Sequence, residues 1–298
     1  MKTNRFSKKE PTLLSAIDLK TRRHQVIYWT MFAILCVLSC VCIFPILWVF
    51  MSAFKDISEF LSVPPTLFPH SFQPEKVMQV WKSMNFGKYY YNSLVIIIGN
   101  LIFCLFFNGI LGYVLSRLRP KGYKLAFLMI FWTMLVPHSM NMVPLYMSFV
   151  EVPLLKINLI NTYLPLFIMA GANAYEALLF KNFFDGIPDS YVEAAKIDGC
   201  TNLGIFFKII IPISKPIVMV VSIFSVQGSW GAFFWPYLTV TEPEKQPVSV
   251  LLYTLGTGSL SQDQYVIVLM FAILPVLILF SVFSKYILGG SNMSGVKG

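Results

Sequence analysis

The chain has 298 residues, 56% of them hydrophobic and only 12% charged, with a mean hydropathy of +0.68 and a formal net charge of +9. Soluble domains carry about a quarter charged residues, so a water-dissolved globule is excluded. The positive balance comes from basic residues gathered in alternate connections, a membrane-topology signal rather than a nucleic-acid one.

Six runs free of Lys, Arg, Asp and Glu follow one another: 26–54, 92–116, 125–150, 157–175, 216–241 and 264–284. Each is near or above the roughly 20 residues a helix needs to cross a bilayer core. They lack the polar alternation of barrel strands, so the sequence predicts an all-α membrane protein with six transmembrane helices. Residues 1–25 form a basic arm. The first run, 26–54, is too long for a signal-peptide core and no small-residue cleavage site follows it, so it reads as a retained anchor. The stretch 55–88 is a long, proline-rich outer loop (SVPPTLFPHSFQPEK) expected to pack on something outside. Residues 89–288 then make a core of five further helices, and 289–298 a tail.

Within that core, RLRPKGYK is a short basic turn. VPHSMNMVP carries Pro137 and Pro144, both expected to kink the third helix. His138 reads as a packing residue or a proton relay. Glu176, near the inner part of the fourth run, reads as a transport group or as a carboxylate reaching Lys181 or the inner surface. The fifth run is interrupted by SVQGSWGAFFWPY, whose polar backbone suits the wall of a pathway. Trp235 and Tyr237 there read equally as an interfacial belt. Counting basic residues puts seventeen Lys and Arg on the side of the termini and six on the other, so both termini are expected in the cytoplasm. Cys36 and Cys40 stand one turn apart, but no His or acid accompanies them, and small apolar packing is the expectation.

The inner loop 182–212 contains YVEAAKIDGCTNLGIFFKIIIP. Pro188 and Asp189 suit the first turn of a helix, and Gly199 ends it. A second helix is expected from Thr201 or Asn202 to Pro212. Glu193 offers a carboxylate, Ala194 and Ala195 allow close approach, and Ile197 supplies an apolar knob one turn from Glu193. Four acids, Asp185, Asp189, Glu193 and Asp198, fit an anionic inner leaflet poorly and favour a protein partner.

The series Glu193-Ala194-Ala195, three residues, Gly199, nine residues, Ile209, one residue, Ile211-Pro212 resembles the signature of permease subunits of binding-protein-dependent ABC importers. Only Ile211 departs, standing where leucine is usual. IPDSYVEAAKIDGCT, NSLVI, GYVLSRLRPKGY, VPLY, ISKP and GGSNMSGVKG are similar to the carbohydrate branch, in particular to the smaller permease of maltodextrin importers. The resemblance runs from about Asn92 to Gly298. It implies a type I importer permease paired with a second, different permease, two ATP-binding subunits and an extracytoplasmic sugar-binding protein, in a bacterial cytoplasmic membrane. It implies that the inner loop is a coupling helix seated in an ATPase cleft. Glu193 then makes an ion pair, Ala194, Ala195 and Ile197 make close contacts, Gly199 makes the turn, and Asp198, Ile209 and Pro212 complete the coupling set. Gly295 and Lys297 of the tail are implied to reach between the ATPases.

No G-x-x-x-x-G-K-[ST] phosphate cradle is present. The chain itself is therefore expected to be no enzyme and to hold no cofactor, with ATP and Mg on partner subunits. Asn100, Asn108, Gln227 and Trp230 are candidate pathway residues, each of which also reads as helix packing or interhelical hydrogen bonding. The other reading is an ion-coupled secondary transporter using Glu176 and His138. Such proteins show inverted repeats and paired intramembrane charges, and neither is evident here.

Overall fold

The computed structural model describes residues 22–256, 258 and 260–289. Every regular element among them is a helix. The chain divides into two compact units, the first ending at Gln73 and the second beginning at Pro74.

The first unit holds α1 (Arg22–Ser52), which starts inside the expected basic arm, and α2 (Ile57–Phe60). Most apolar side chains of α1 up to Leu47 are exposed, as suits a membrane-spanning helix. The following loop is folded around Glu59. Its carboxylate accepts from the His70 backbone N–H (2.9 Å), the His70 ring (2.8 Å) and the Thr66 hydroxyl (2.8 Å). Lys55 donates to the Thr66 carbonyl, and Phe54 stacks on Phe72.

The second unit begins with α3 (Pro74–Ser83) and α4 (Phe86–Phe103). Helix α4 continues through a π turn at Cys104–Asn108, α5 (Gly109–Tyr113) and a second π turn at Val114–Leu118, giving one 33-residue helix, Phe86–Leu118. Next come α6 (Tyr123–Thr133), α7 (His138–Val150), α8 (Leu164–Gly171) and α9 (Ala174–Asp185). The loop region holds α10 (Asp189–Ile197), α11 (Asn202–Ile205), a π turn at Phe206–Ile210 and α12 (Ile211–Ile213). Then follow α13 (Lys215–Gly231), α14 (Phe234–Thr239), α15 (Val248–Gly256) and α16 (Gln262–Gly289).

Three described helices are long and apolar enough to cross a membrane, Arg22–Ser52, Phe86–Leu118 and Gln262–Ser281. A fourth is available if Asn202–Ile213 and Lys215–Gly231, bent by 84°, count as one. The difference from six arises inside two apolar runs. Run 125–150 is broken at Pro137, which caps α7 and has no N–H to continue α6; Pro144 stays inside α7 without ending it. Run 157–175 is not one span. Its first residues are irregular, α8 ends at Gly171, and α9 restarts at Ala174 and continues past the run to Asp185.

Helices α5 and α9 pack with their backbones close together. A Cβ on Gly112 would lie 2.6 Å from Phe180 Cβ and 2.9 Å from the Lys181 backbone nitrogen. Small residues at such crossings let two backbones approach without a side chain between them. The C-terminal half of α9 and the loop helices share one core: Phe180, Phe184, Ile187, Val192, Ala195 and Ile210 are all buried in it. The connection before α16 is tied to the start of α4, where Asn92 donates to the carbonyls of Glu244 (2.8 Å) and Gln246 (3.0 Å) and Ser93 accepts from the Val248 N–H (3.0 Å).

Two outcomes are expected. Gly112→Ala forces two backbones apart and lowers stability by about 1–3 kcal/mol, read as a lower melting temperature in detergent. Gly87→Ala, where nothing lies within 4 Å of the added Cβ, is the control. For the outer loop, desolvation pushes the Glu59 carboxyl up, but the His70 N–H and ring and the Thr66 hydroxyl outweigh it and hold it at about 2. A carboxyl depressed in the folded state contributes fully above its ordinary value of 4.5 and loses that contribution as pH falls towards 2. Exchange protection of the His70 amide is therefore expected to hold to about pH 4.5, to decline below it and to be lost towards about pH 2. Glu59→Gln should weaken that protection already at neutral pH.

Candidate functional site

The loop 182–212 is built from local signals. Pro188 caps α10 with an extended ψ of 137°, and Asp189 meets the positive end of the helix. At the other end Gly199 takes φ +77°. Its N–H bonds the Lys196 carbonyl (3.1 Å) and the Cys200 N–H bonds the Ala195 carbonyl (2.9 Å), a Schellman closure. Thr201 caps α11 by accepting from the Gly204 N–H at 3.1 Å.

Helix α10 has two faces. Val192 and Ala195 are buried in the core shared with α9. Glu193, Ala194 and Asp198 are exposed, and Ile197 is 86% exposed. Ala194 and the half-buried Ile209 border a shallow depression of about 420 Å³ with Tyr191, Asp198 and Cys200. Ala195 is 4% exposed, yet it also borders the depression beside Ala194. Pro212 is exposed in α12.

The four acids also separate. Asp185 accepts from Lys181 (2.6 Å) and the Ser116 hydroxyl (2.7 Å) and pairs with Arg119 (3.5 Å). Asp189 pairs with Arg117, whose guanidinium also donates to the carbonyls of Phe184 and Ile187. The Arg117 side chain is only 6% exposed, so it is a buried bracket between the end of the Phe86–Leu118 helix and the start of α10. Glu193 and Asp198 make no hydrogen bond or ion pair with a described residue. They are the acids of the four with no countercharge among the described residues, and Lys196 is exposed beside them.

A second polar site lies where two helices break. Helix α8 stops at Gly171, and the Asn173 side chain caps α9 by accepting from the Glu176 N–H at 3.3 Å. Helix α13 stops at Gly231 before α14. Between these breaks is a cleft of about 400 Å³ lined by Asn100, Asn173, Glu176 and Ser229 together with Tyr175 and Trp235. Broken helices with polar residues at the break mark substrate sites in several transporter folds. Glu176 Oε2 accepts from Cys104 Sγ (2.8 Å) and Asn108 Nδ2 (3.0 Å) and does not reach Lys181. Both donors belong to the π turn Cys104–Asn108.

The candidate pathway residues thus part company. Asn100 lines the cleft. Asn108 is fully buried behind it, bonded to Glu176, to the Ala170 carbonyl (2.9 Å) and to the Asn173 N–H (3.1 Å), so it shapes the wall without facing the space. Gln227 and Trp230 line a separate apolar pocket of about 180 Å³ with Leu101, Val276 and Phe280. The Trp230 N–H is spent on the Ala272 carbonyl at 3.2 Å. Asn173 was missed; its position after Gly171-Ala172 in an apolar run was the available signal. Gly295 and Lys297 and the side chain of His138 lie outside the described residues.

Residues 108–289, more than half of the chain, match the family of binding-protein-dependent transport system inner membrane components. The chain belongs to this family. It is a transport permease and a multi-pass membrane protein, not an enzyme, and ATP hydrolysis falls to separate subunits. The secondary-transporter reading finds no support. The permease is 27% identical over 286 residues to the arabinooligosaccharides transport system permease protein AraQ of Halalkalibacterium halodurans, covering 94% of this chain and 100% of that protein. It is 30% identical over 266 residues to AraQ of Bacillus subtilis, covering 88% of this chain and 92% of that protein. Its fold matches a chain of a bacterial ABC transporter involved in import of the acidic polysaccharide alginate, with a TM-score of 0.79 and 22% identity over 89% of this chain and 98% of that one.

Arg117→Met should strand Asp189 and two buried carbonyls. Losing their partners costs about 1–3 kcal/mol, so amide exchange across 189–199 in the purified permease is expected to speed up by about 10- to 100-fold. Protection in the middle of the Phe86–Leu118 helix should not change. Equal loss in both regions would mean that Arg117 holds the fold as a whole rather than the loop.

Proposed function

We propose that this permease is one of two unlike membrane subunits of an ATP-driven oligosaccharide importer in a bacterial cytoplasmic membrane. It has six spans and both termini inside. An extracytoplasmic sugar-binding protein delivers the cargo, and two ATP-binding subunits hold ATP and Mg, one of them docking on the loop 182–212. The basic residues gathered in alternate connections support the orientation, and the relatives named for arabinooligosaccharide transport support the carbohydrate class.

One observation carries the coupling assignment: α10 is anchored from behind and bare in front. Val192, Ala195 and the Arg117 bracket fix it to the helices, while Glu193, with no ion-pair partner among the described residues, and Ile197 stand exposed. Such a surface joins an ion pair to an apolar contact, and a rigid base passes on whatever motion the partner imposes. Asp198 adds charge, Gly199 fixes the turn, Ala194, Ile209 and Pro212 border the contact, and Gly295 and Lys297 extend it from the tail. Closure of the ATPase pair then swings the spans between inward-open and outward-open as a rigid body.

The double variant Glu193→Lys, Gly199→Pro tests this, because it reverses the charge and removes the φ +77° closure. The permease should remain in the membrane but lose co-purifying ATPase, with ATP-driven oligosaccharide uptake reduced more than tenfold. Intact association and uptake would sink the assignment.

A further inference from the structure

The cleft between α8–α9 and α13 has a definite chemical bias. Asn100 is 7% exposed, its Nδ2 donates to Ser229 Oγ at 2.8 Å, and its Oδ1 has no hydrogen-bond partner. A buried amide oxygen left unpaired is costly, and native structures rarely keep one unless something completes it. Glu176 spends Oε2 on Cys104 and Asn108, and no described residue donates to its Oε1. The donors on the lining are neutral, among them the Asn173 amide and the Ser229 hydroxyl. Tyr175 and Trp235 supply aromatic faces, and no Lys, Arg or His is among the described residues lining the space.

Unfilled acceptors, neutral donors, aromatic rings and no cation among the described lining residues suit a ligand rich in hydroxyls with flat C–H faces. The volume of about 400 Å³ falls within the roughly 300–1,000 Å³ of small-molecule sites. We infer that this cleft is a sugar subsite carried by this chain itself, with Asn100 Oδ1 and the Glu176 carboxyl accepting from sugar hydroxyls, and that it selects neutral oligosaccharides over acidic ones. The inference rests on the importer reading and narrows its substrate class. An ionised Glu176 repels a uronate, and in either protonation state no described lining residue offers a cation to pair with one. Selectivity built on a missing counter-charge is selectivity against the wrong partner.

The test uses the purified complex of permeases and ATPases without the binding protein, so that the binding protein's own preference does not enter. Saturation-transfer NMR is run with arabinotriose and maltotriose as neutral probes and trigalacturonate as the acidic probe. The wild-type complex should give signal with a neutral trisaccharide at least tenfold stronger than with trigalacturonate. Asn100→Leu should weaken neutral binding about tenfold. Glu176→Gln, which keeps size and hydrogen bonding, should cut the discrimination at least fivefold, both variants eluting as assembled complexes. A wild-type preference for trigalacturonate, no signal from either neutral sugar, or assembled variants that bind like wild type, overturns the subsite. ATP-dependent uptake of the same probes, measured in proteoliposomes with the binding protein added, separates the two readings. If neutral uptake persists while the NMR outcomes fail, only the subsite falls. If no probe enters with ATP, the importer reading falls with it.

Discussion

The seam between the Phe86–Leu118 helix and α9 is the constraint on which the rest of the second unit depends. Gly112 lets the two backbones touch, Asn108 and Cys104 bind Glu176 at one end, and Ser116 and Arg117 bind Asp185, Asp189 and two carbonyls at the other. A bare apolar contact between helices in lipid gains little from burial, because lipid is as apolar as the side chains. Close packing and polar bonds must fix the geometry instead, and both are concentrated along this line.

The π turns of that long helix fall where these bonds are made. Cys104 and Asn108 begin and end the first, and Arg117 lies in the second. An extra residue in a turn redirects the side chains near it, which is why such turns collect at functional positions. Here they swing one group of polar side chains towards the N-terminus of α9 and another towards its C-terminus. Nothing in CLFFN or VLSRL announces this; the wider turn is recognisable only once the neighbouring helix is in place.

What the sequence made legible was the local grammar. Pro188, Asp189, Gly199 and Thr201 bound the loop helices because capping and left-handed closure need those residue types. The helical class followed from uncharged runs alone. Breaks within runs 125–150 and 157–175 were harder to see, since an evenly apolar run carries no periodicity to show where one helix stops and another begins. Faces were hidden for the same reason. Ala194 and Ala195 are identical letters, yet one is exposed and the other is 4% exposed. Two of the loop's four acids turned out to be answered by the chain's own basic residues: Lys181 lies one turn before Asp185 on α9, but Arg117 and Arg119 are far away in sequence. Gln227 and Asn100 looked alike as polar letters in apolar runs, but α13 turns Gln227 away from the cleft that Asn100 lines.

Helix α9 carries Glu176 in its first turn and Asp185 at its last residue, and it is gripped near both. Its 12 residues make a stiff rod about 18 Å long. A tilt of about 10° at one end therefore displaces the other by about 3 Å, close to the difference between a hydrogen bond made and one broken. Cargo chemistry and the cytosolic machinery would then be opposite ends of a single lever arm, with no intervening joint to absorb the stroke.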